Sequence, residues 1–326
     1  MALVELTLLL VFILILLKSA EHVVLSASRL ADFFGISTLA IGVVLVAFST
    51  SLPELSVAII SSINQKGSIS AGNVFGSNIA NICLILGLGA FLYGFQISMK
   101  EIKQVVVILI LTTIISVYII LHVNLYGQAL SQIEGIILVG IGLWYFRNYL
   151  RDYGTNGNIS HSNGIEHITK HKALYDFLFF FVGIIIVLFS SSMVVRYAVK
   201  LAEMLNLSES FIGATIIAVG TSLPEMTISL QAIRKKKYGI ALGDAIGANL
   251  TTLTIVLGTS ALINPIDLTL NVFIAALLFA IIANSVFLYF AITAKRMGSR
   301  EGTILVALYV FYLVTIFGLQ ATELIS

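Results

Sequence analysis

One pentapeptide, Thr-Ser-Leu-Pro-Glu, occurs twice in the chain, at Thr50 to Glu54 and at Thr221 to Glu225. The offset of 171 residues between the copies also lays Ile41-Gly42 on Ile212-Gly213, and Gly72, Gly76, Asn78 and Gly87 on Gly243, Gly247, Asn249 and Gly258, with no gap. A chain written this way folds as two related halves. Each copy lies inside a long apolar run, so each puts a carboxylate and a helix-breaking proline where a buried helix tolerates neither without a reason.

With 59% hydrophobic and 10% charged residues and a mean hydropathy of +1.05, the sequence is too apolar for a soluble globular fold. It reads as an all-α polytopic membrane protein. Apolar runs of spanning length fall at about 3–29, 38–63, 69–93, 103–122 and 129–147, then at 173–198, 210–233, 239–263, 270–291 and 303–322. Ten transmembrane helices are therefore expected. The first run has no basic start and no small-residue cleavage site, so it reads as a retained helix and not as a signal peptide. The one long polar stretch, 151–172, divides the chain into a first five-helix repeat (1–150), a cytoplasmic linker and a second repeat (173–326). Five is odd, so the second repeat is expected to cross the membrane in the opposite sense. With both termini outside, 14 of the 18 lysines and arginines fall on the cytoplasmic side. The single cysteine, Cys83, reads as a small buried hydrophobe.

Reading back from each glutamate at helical spacing collects oxygen donors: Ala47, Thr50, Ser51 and Glu54 in the first copy, Ala218, Thr221, Ser222 and Glu225 in the second. Pro53 and Pro224 are expected to free carbonyls near Ser49 and Gly220. Carboxylate, hydroxyl and carbonyl oxygens are the hard ligands that calcium and sodium select, and no thiolate or imidazole is among them. After each carboxylate comes a glycine-rich entry to the next span, Gly72 to Asn81 and Gly243 to Thr252. Ser77 and Asn81, one turn apart, are placed to add oxygens from a second helix. In the second copy Ala248 stands for Ser77, Thr252 for Asn81 and Asp244 for Asn73. Asp244 falls about two helical turns from Thr252, on roughly the same face but toward the cytoplasmic mouth; of the two readings, a site acid and a peripheral helix-start acid stabilised by the helix dipole, the second is favoured.

At these residues the sequence resembles the sodium/calcium exchanger family of the cation/calcium antiporter superfamily, in its prokaryotic form. The motifs that carry the resemblance are the paired Gly/Ser-Thr-Ser-Leu-Pro-Glu and Gly-Asn/Asp-x-x-Gly-Ser/Ala-Asn segments, in register in both halves. The resemblance implies that Glu54 and Glu225 bridge a calcium ion with backbone oxygens of Thr50 and Thr221. It further implies that sodium uses Ser51, Ser222, the Thr50 and Thr221 hydroxyls and the Ala47 and Ala218 carbonyls, with Ser77 added. Asn81 is implied as a central ligand, and Thr252 takes its place in the second half.

Two buried glutamates close together need a cation between them, so calcium and sodium compete for one ligand set and exchange becomes obligatory. The expected function is calcium-for-sodium antiport across the plasma membrane by alternating access, the first and sixth helices rocking against the rest. A proton/calcium exchanger, or another cation exchanger of altered selectivity, is the alternative. An enzyme is not expected, since no His-Glu-x-x-His pattern or nearby His or Cys accompanies the glutamates. The net charge of +2 says little about partners. Calcium and sodium ions and the lipid bilayer are expected, with no cofactor and no nucleic acid, in a monomer. Lys18 and Glu21 read as a local ion pair.

Overall fold

Backbone held away from water must satisfy its own N–H and C=O groups, and an α-helix does so within one segment. A computed structural model of the chain describes residues 2–126, 130–154, 170–204, 218–266, 270–294 and 296–325, which are almost wholly helical. The first half gives α1 (Ala2–Phe34), α2 (Thr38–Thr50), α3 (Leu52–Ile63), α4 (Gly67–Leu92), α5 (Met99–Tyr126) and α6 (Gln132–Gly154). The second gives α7 (Lys170–Met204), α8 (Ala218–Thr221), α9 (Leu223–Arg234), α10 (Tyr238–Ile263), α11 (Leu270–Ala294) and α12 (Ser299–Ile325). Among the described residues seven helices are long and apolar enough to cross a membrane, α1, α4, α5, α7, α10, α11 and α12; the bent pair α2–α3 makes an eighth. At 23 residues α6 is long enough, but Glu134, Arg147 and Arg151 lower its apolarity. Of the run at 210–233, residues 210–217 lie outside the described residues, as do 155–169 of the polar stretch, whose two ends join α6 and α7.

The run at 38–63 is two helices, not one kinked helix, bent by 42° at Ser51. Pro53 falls in the first turn of α3, where a missing N–H costs nothing. Further irregularity comes as single π-helical turns: Gly42–Val46 in α2, Ala80–Leu86 in α4 and Thr252–Val256 in α10. The last two begin at or beside Asn81 and Thr252, which the 171-residue offset pairs. Such turns gather at functional positions because they re-aim side chains and backbone carbonyls.

Contacts between the halves come in pairs. Ser62 Oγ lies 2.6 Å from Ser260 Oγ, and their counterparts Ile233 and Gly89 also meet, a Cβ on Gly89 falling on Ile233. A short antiparallel pair joins β1 (Phe95–Gln96) to β2 (Arg296–Met297), and an isolated bridge joins Leu130 to Ile266. Ile266 follows Phe95 by 171 residues and Met297 follows Leu130 by 167, so each half lends the same two positions to the other. Gly87 packs against Gly302 as Gly258 packs against Gly135, with no room for a side chain at Gly135, Gly258 or Gly302.

Two long helices, α1 and α7, lie against each other, with Gly183 on Val23 and ion pairs at Arg29–Asp176 (2.6 Å) and Glu5–Lys200 (3.2 Å). Toward the rest of the molecule α1 meets α9. There Glu21 pairs more closely with Lys235 (2.6 Å) than with Lys18 (3.7 Å), so the expected local pair is the weaker half of a contact between helices. Cys83 is buried, as its surroundings suggest.

Candidate cation site

The two prolines position the two acids. Each starts a helix, α3 or α9, and the glutamate follows in the first turn, where the helix dipole favours negative charge. Glu54 and Glu225 are each 2% exposed, and Oε2 of each has no hydrogen-bond partner. Asn81 Oδ1 is a third buried oxygen without a partner. On α4 the Nδ2 atoms of Asn73 and Asn78 are unpartnered donors, and elsewhere Glu5 Oε2, Gln231 Oε1 and the Ser70 and Ser190 hydroxyls are also buried without partners. A buried carboxylate oxygen left unpaired is costly, and a cation is the partner that removes the cost.

The Thr50 hydroxyl ties the halves together. It has one hydrogen and two acceptors in reach, the Ala47 carbonyl at 3.2 Å and Asp244 Oδ1 at 3.1 Å. Ser51 Oγ and Ser51 N also donate to the Ala47 carbonyl, at 2.8 and 3.1 Å, so the break at Pro53 leaves that oxygen surrounded by donors. In the second half Thr221 ends α8 half-buried and Ser222, buried, is the joint before α9. Ala218 opens α8, and its side-chain surroundings lie outside the described residues.

Where α4 crosses α10, amides and a hydroxyl interlock. Asn81 Nδ2 donates to Asn249 Oδ1 at 2.9 Å, Asn249 Nδ2 to the Asn78 carbonyl at 3.0 Å, and Thr252 Oγ1 to Asn78 Oδ1 at 2.8 Å. Asn81 is thereby held with its oxygen free, and Thr252 serves the crossing itself. Ser77 is buried one turn away, its hydroxyl 3.3 Å from the Val74 carbonyl. Among the described residues no three His, Cys, Asp or Glu side chains converge on one metal position. The available set is two carboxylates supplemented by hydroxyl, amide and carbonyl oxygens, the donor mixture of hard cations.

Sequence reasoning passed over Asn78 and Asn249, although their identity at the same offset as the glutamates was the signal. It also misread Asp244. Asp244 is not peripheral: it stands seven residues into the α-helical Tyr238–Thr251 part of α10, is wholly buried, and accepts from Ser229 Oγ at 2.7 Å as well as facing Thr50. The cause is packing. Gly42, Gly243 and Gly247 bring α2 and α10 backbone to backbone, which seals Asp244 against Thr50. The first-half counterparts differ: Gly72 is exposed with nothing near it, and Asn73 and Gly76 are half-buried. Among the described residues the glycine contact that covers Asp244 therefore has no equal around Gly72.

The family profile described as "Sodium/calcium exchanger protein" matches residues 4–146 and 175–318. Among curated proteins, inner membrane protein YrbG of Escherichia coli is 35% identical over 79% of this chain and 79% of its own length. Sodium/calcium exchanger MaX1 of Methanosarcina acetivorans is 28% identical over 96% of this chain and 99% of its own length. A solved structure of the sodium-calcium exchanger NCX_Mj, soaked with 10 mM Na+ and zero Ca2+, superposes with a TM-score of 0.82 at 26% identity, covering 96% of this chain and 99% of that one.

Proposed function

The chain belongs to the sodium/calcium exchanger family, and from that premise we propose that it carries calcium against sodium through the site built around Glu54 and Glu225. The observation that carries this reading is that Glu54 Oε2, Glu225 Oε2 and Asn81 Oδ1 are buried without hydrogen-bond partners, on two helix starts and a helix crossing to which both halves contribute. Calcium bridges the two carboxylates with oxygens of Thr50 and Thr221. Sodium ions use Ser51, Ser222, Ser77, the threonine hydroxyls and the Ala47 and Ala218 carbonyls; Asn81 stands between. Thr252 braces α10 through Asn78. One calcium and several sodium ions satisfy the same negative charge, so each load excludes the other, and crossing with the acids bare is prohibitive.

The architecture belongs to the same proposal: ten spans in two inverted repeats, 1–150 and 173–326, joined by the 151–172 linker. The paired contacts at 171 and 167 residues support it. With the termini outside the plasma membrane, the end beside Gly72 faces outward and the glycine-packed end beside Gly243 inward. Alternating access follows if α1 and α7 slide as a pair and exchange the closed glycine contact from one end to the other. The carrier works as a monomer.

The test is calcium uptake into proteoliposomes driven by an outward sodium gradient. The unaltered chain should accumulate calcium, and Glu54→Gln and Glu225→Gln should each reduce uptake to the protein-free level. Uptake that follows a pH gradient and ignores sodium would transfer the reading to proton exchange.

A further inference from the structure

The two helices that cross at the site are repeat-related, yet they do not offer the same oxygens. On α4, Ser77 and Asn81 put a hydroxyl and an amide one turn apart; on α10 those positions hold Ala248 and Thr252. Among the described residues, α4 leaves Ser70 Oγ, Asn73 Nδ2, Asn78 Nδ2 and Asn81 Oδ1 buried without a hydrogen-bond partner, and α10 leaves no buried side-chain nitrogen or oxygen in that condition. Asp244 accepts from Ser229 Oγ and from Thr50 Oγ1. Asn249 uses both ends of its amide, one on Asn81 and one on the Asn78 carbonyl. Thr252 Oγ1 donates to Asn78 Oδ1 at 2.8 Å and has the Ala248 carbonyl at 2.9 Å. The hydroxyls of Thr251 and Thr254 donate to carbonyls of their own helix. Ser77, by contrast, is held only by a 3.3 Å contact with the Val74 carbonyl.

We propose that the site takes two sodium ions for each calcium, one at the glutamate pair and one on the α4 side at Ser77 and Asn81, so that exchange moves no net charge. This deepens the exchanger reading and rests on it. Two independent constraints give the same number. The first is charge: Glu54 and Glu225 are neutralised alike by one calcium or by two sodium ions, and a further sodium would leave positive charge without a partner in a low-dielectric interior. Asp244 drops out of this comparison, because both of its oxygens are taken by hydroxyls whichever load is bound. The second constraint is the supply of donors. An alkali ion replaces its water with several hard oxygens, and beyond the glutamates α4 has a loosely held hydroxyl and an unpartnered amide oxygen to give. Equivalent halves would hold a matching ion on the α10 side. Ala248 removes the hydroxyl from that position, and the crossing itself occupies Asn249 and Thr252. Ala248 is thus the residue that fixes the ratio.

Membrane potential reads the ratio directly. Proteoliposomes holding the unaltered chain and a small, fixed outward sodium gradient are brought to a steady calcium gradient under potassium diffusion potentials of either sign, set with valinomycin. Two sodium ions per calcium leave that gradient independent of potential. A third sodium would carry one net charge outward, and the sustained gradient would then change about 50-fold for 100 mV, rising with the interior positive and falling with it negative. A dependence of that kind, in either direction, overturns the proposal. Ser77→Ala should raise the sodium concentration needed for half-maximal calcium uptake several-fold, and an unchanged requirement overturns the placement of the second ion on α4. If that variant is not recovered folded, the potential measurement on the unaltered chain still decides the ratio. Absence of sodium-driven calcium uptake by the unaltered chain is a different result, and it defeats the exchanger reading itself.

Discussion

Replacing Gly243 by alanine tests the packing that builds the site. A Cβ there lies 2.4 Å from the Leu39 carbonyl oxygen and 2.8 Å from both Gly42 Cα and Val43 N, all backbone atoms that no rotamer change can move. Ordinary contact begins at 3.4 Å, so α2 and α10 must part by about 1 Å. Thr50 and Asp244, now 3.1 Å apart, would then leave hydrogen-bonding range. Overpacking of this kind costs about 1–3 kcal/mol, and the lost hydrogen bond adds about 1 kcal/mol. The control is Gly72→Ala, the same substitution at the repeat-related position, where no described residue lies within 4 Å. Both variants share the helix-propensity gain of about 0.5–1 kcal/mol, so their difference isolates the clash. Thermal unfolding of the two variants in detergent should differ by several degrees, given roughly 2–4 °C for each kcal/mol in large domains. Gly243→Ala should be the less stable. Equal melting temperatures would refute the claim that glycine contact holds α2 against α10.

Thr252→Val keeps the shape but removes the donor to Asn78 Oδ1, and a loss of about 1–2 kcal/mol is expected by thermal unfolding; no loss would mean that Thr252 does not brace the crossing. Asn249→Ala should cost more than Thr252→Val, because it strips partners from both Asn81 and Asn78, and a milder effect in the same assay would contradict the interlocked arrangement. Lys235→Ala removes a partly exposed pair with Glu21, so a double-mutant cycle with Glu21→Gln should give a coupling close to the error of the measurement. A coupling well above that would show the contact to be a latch between α1 and α9.

Much of the site was legible before any coordinates. The glutamates, the hydroxyls before them and the amide-bearing glycine segments all repeat at one offset, and repetition marks them without knowledge of their neighbours. The effect of the prolines was read only half correctly, because a proline in an apolar run can kink a helix or start a new one. Pro53 takes the second course, starting α3, and Ser51 before it donates its hydroxyl to the Ala47 carbonyl. Asp244 was misplaced for a related reason: near the start of a helical run an acid looks peripheral, and nothing in the order of residues says that a glycine face from the other half will cover it.

Composition, the 171-residue offset and the paired Thr-Ser-Leu-Pro-Glu segments were enough to determine a helical membrane protein in two related halves and to single out two acids as candidate cation ligands, since hydropathy and repetition are properties of the chain alone. Which oxygens stand unpartnered, and that Asp244 is buried against Thr50, were decided only by tertiary structure. Those depend on how closely α2 approaches α10 and α4 crosses α10, distances set by contacts between residues some 170 positions apart.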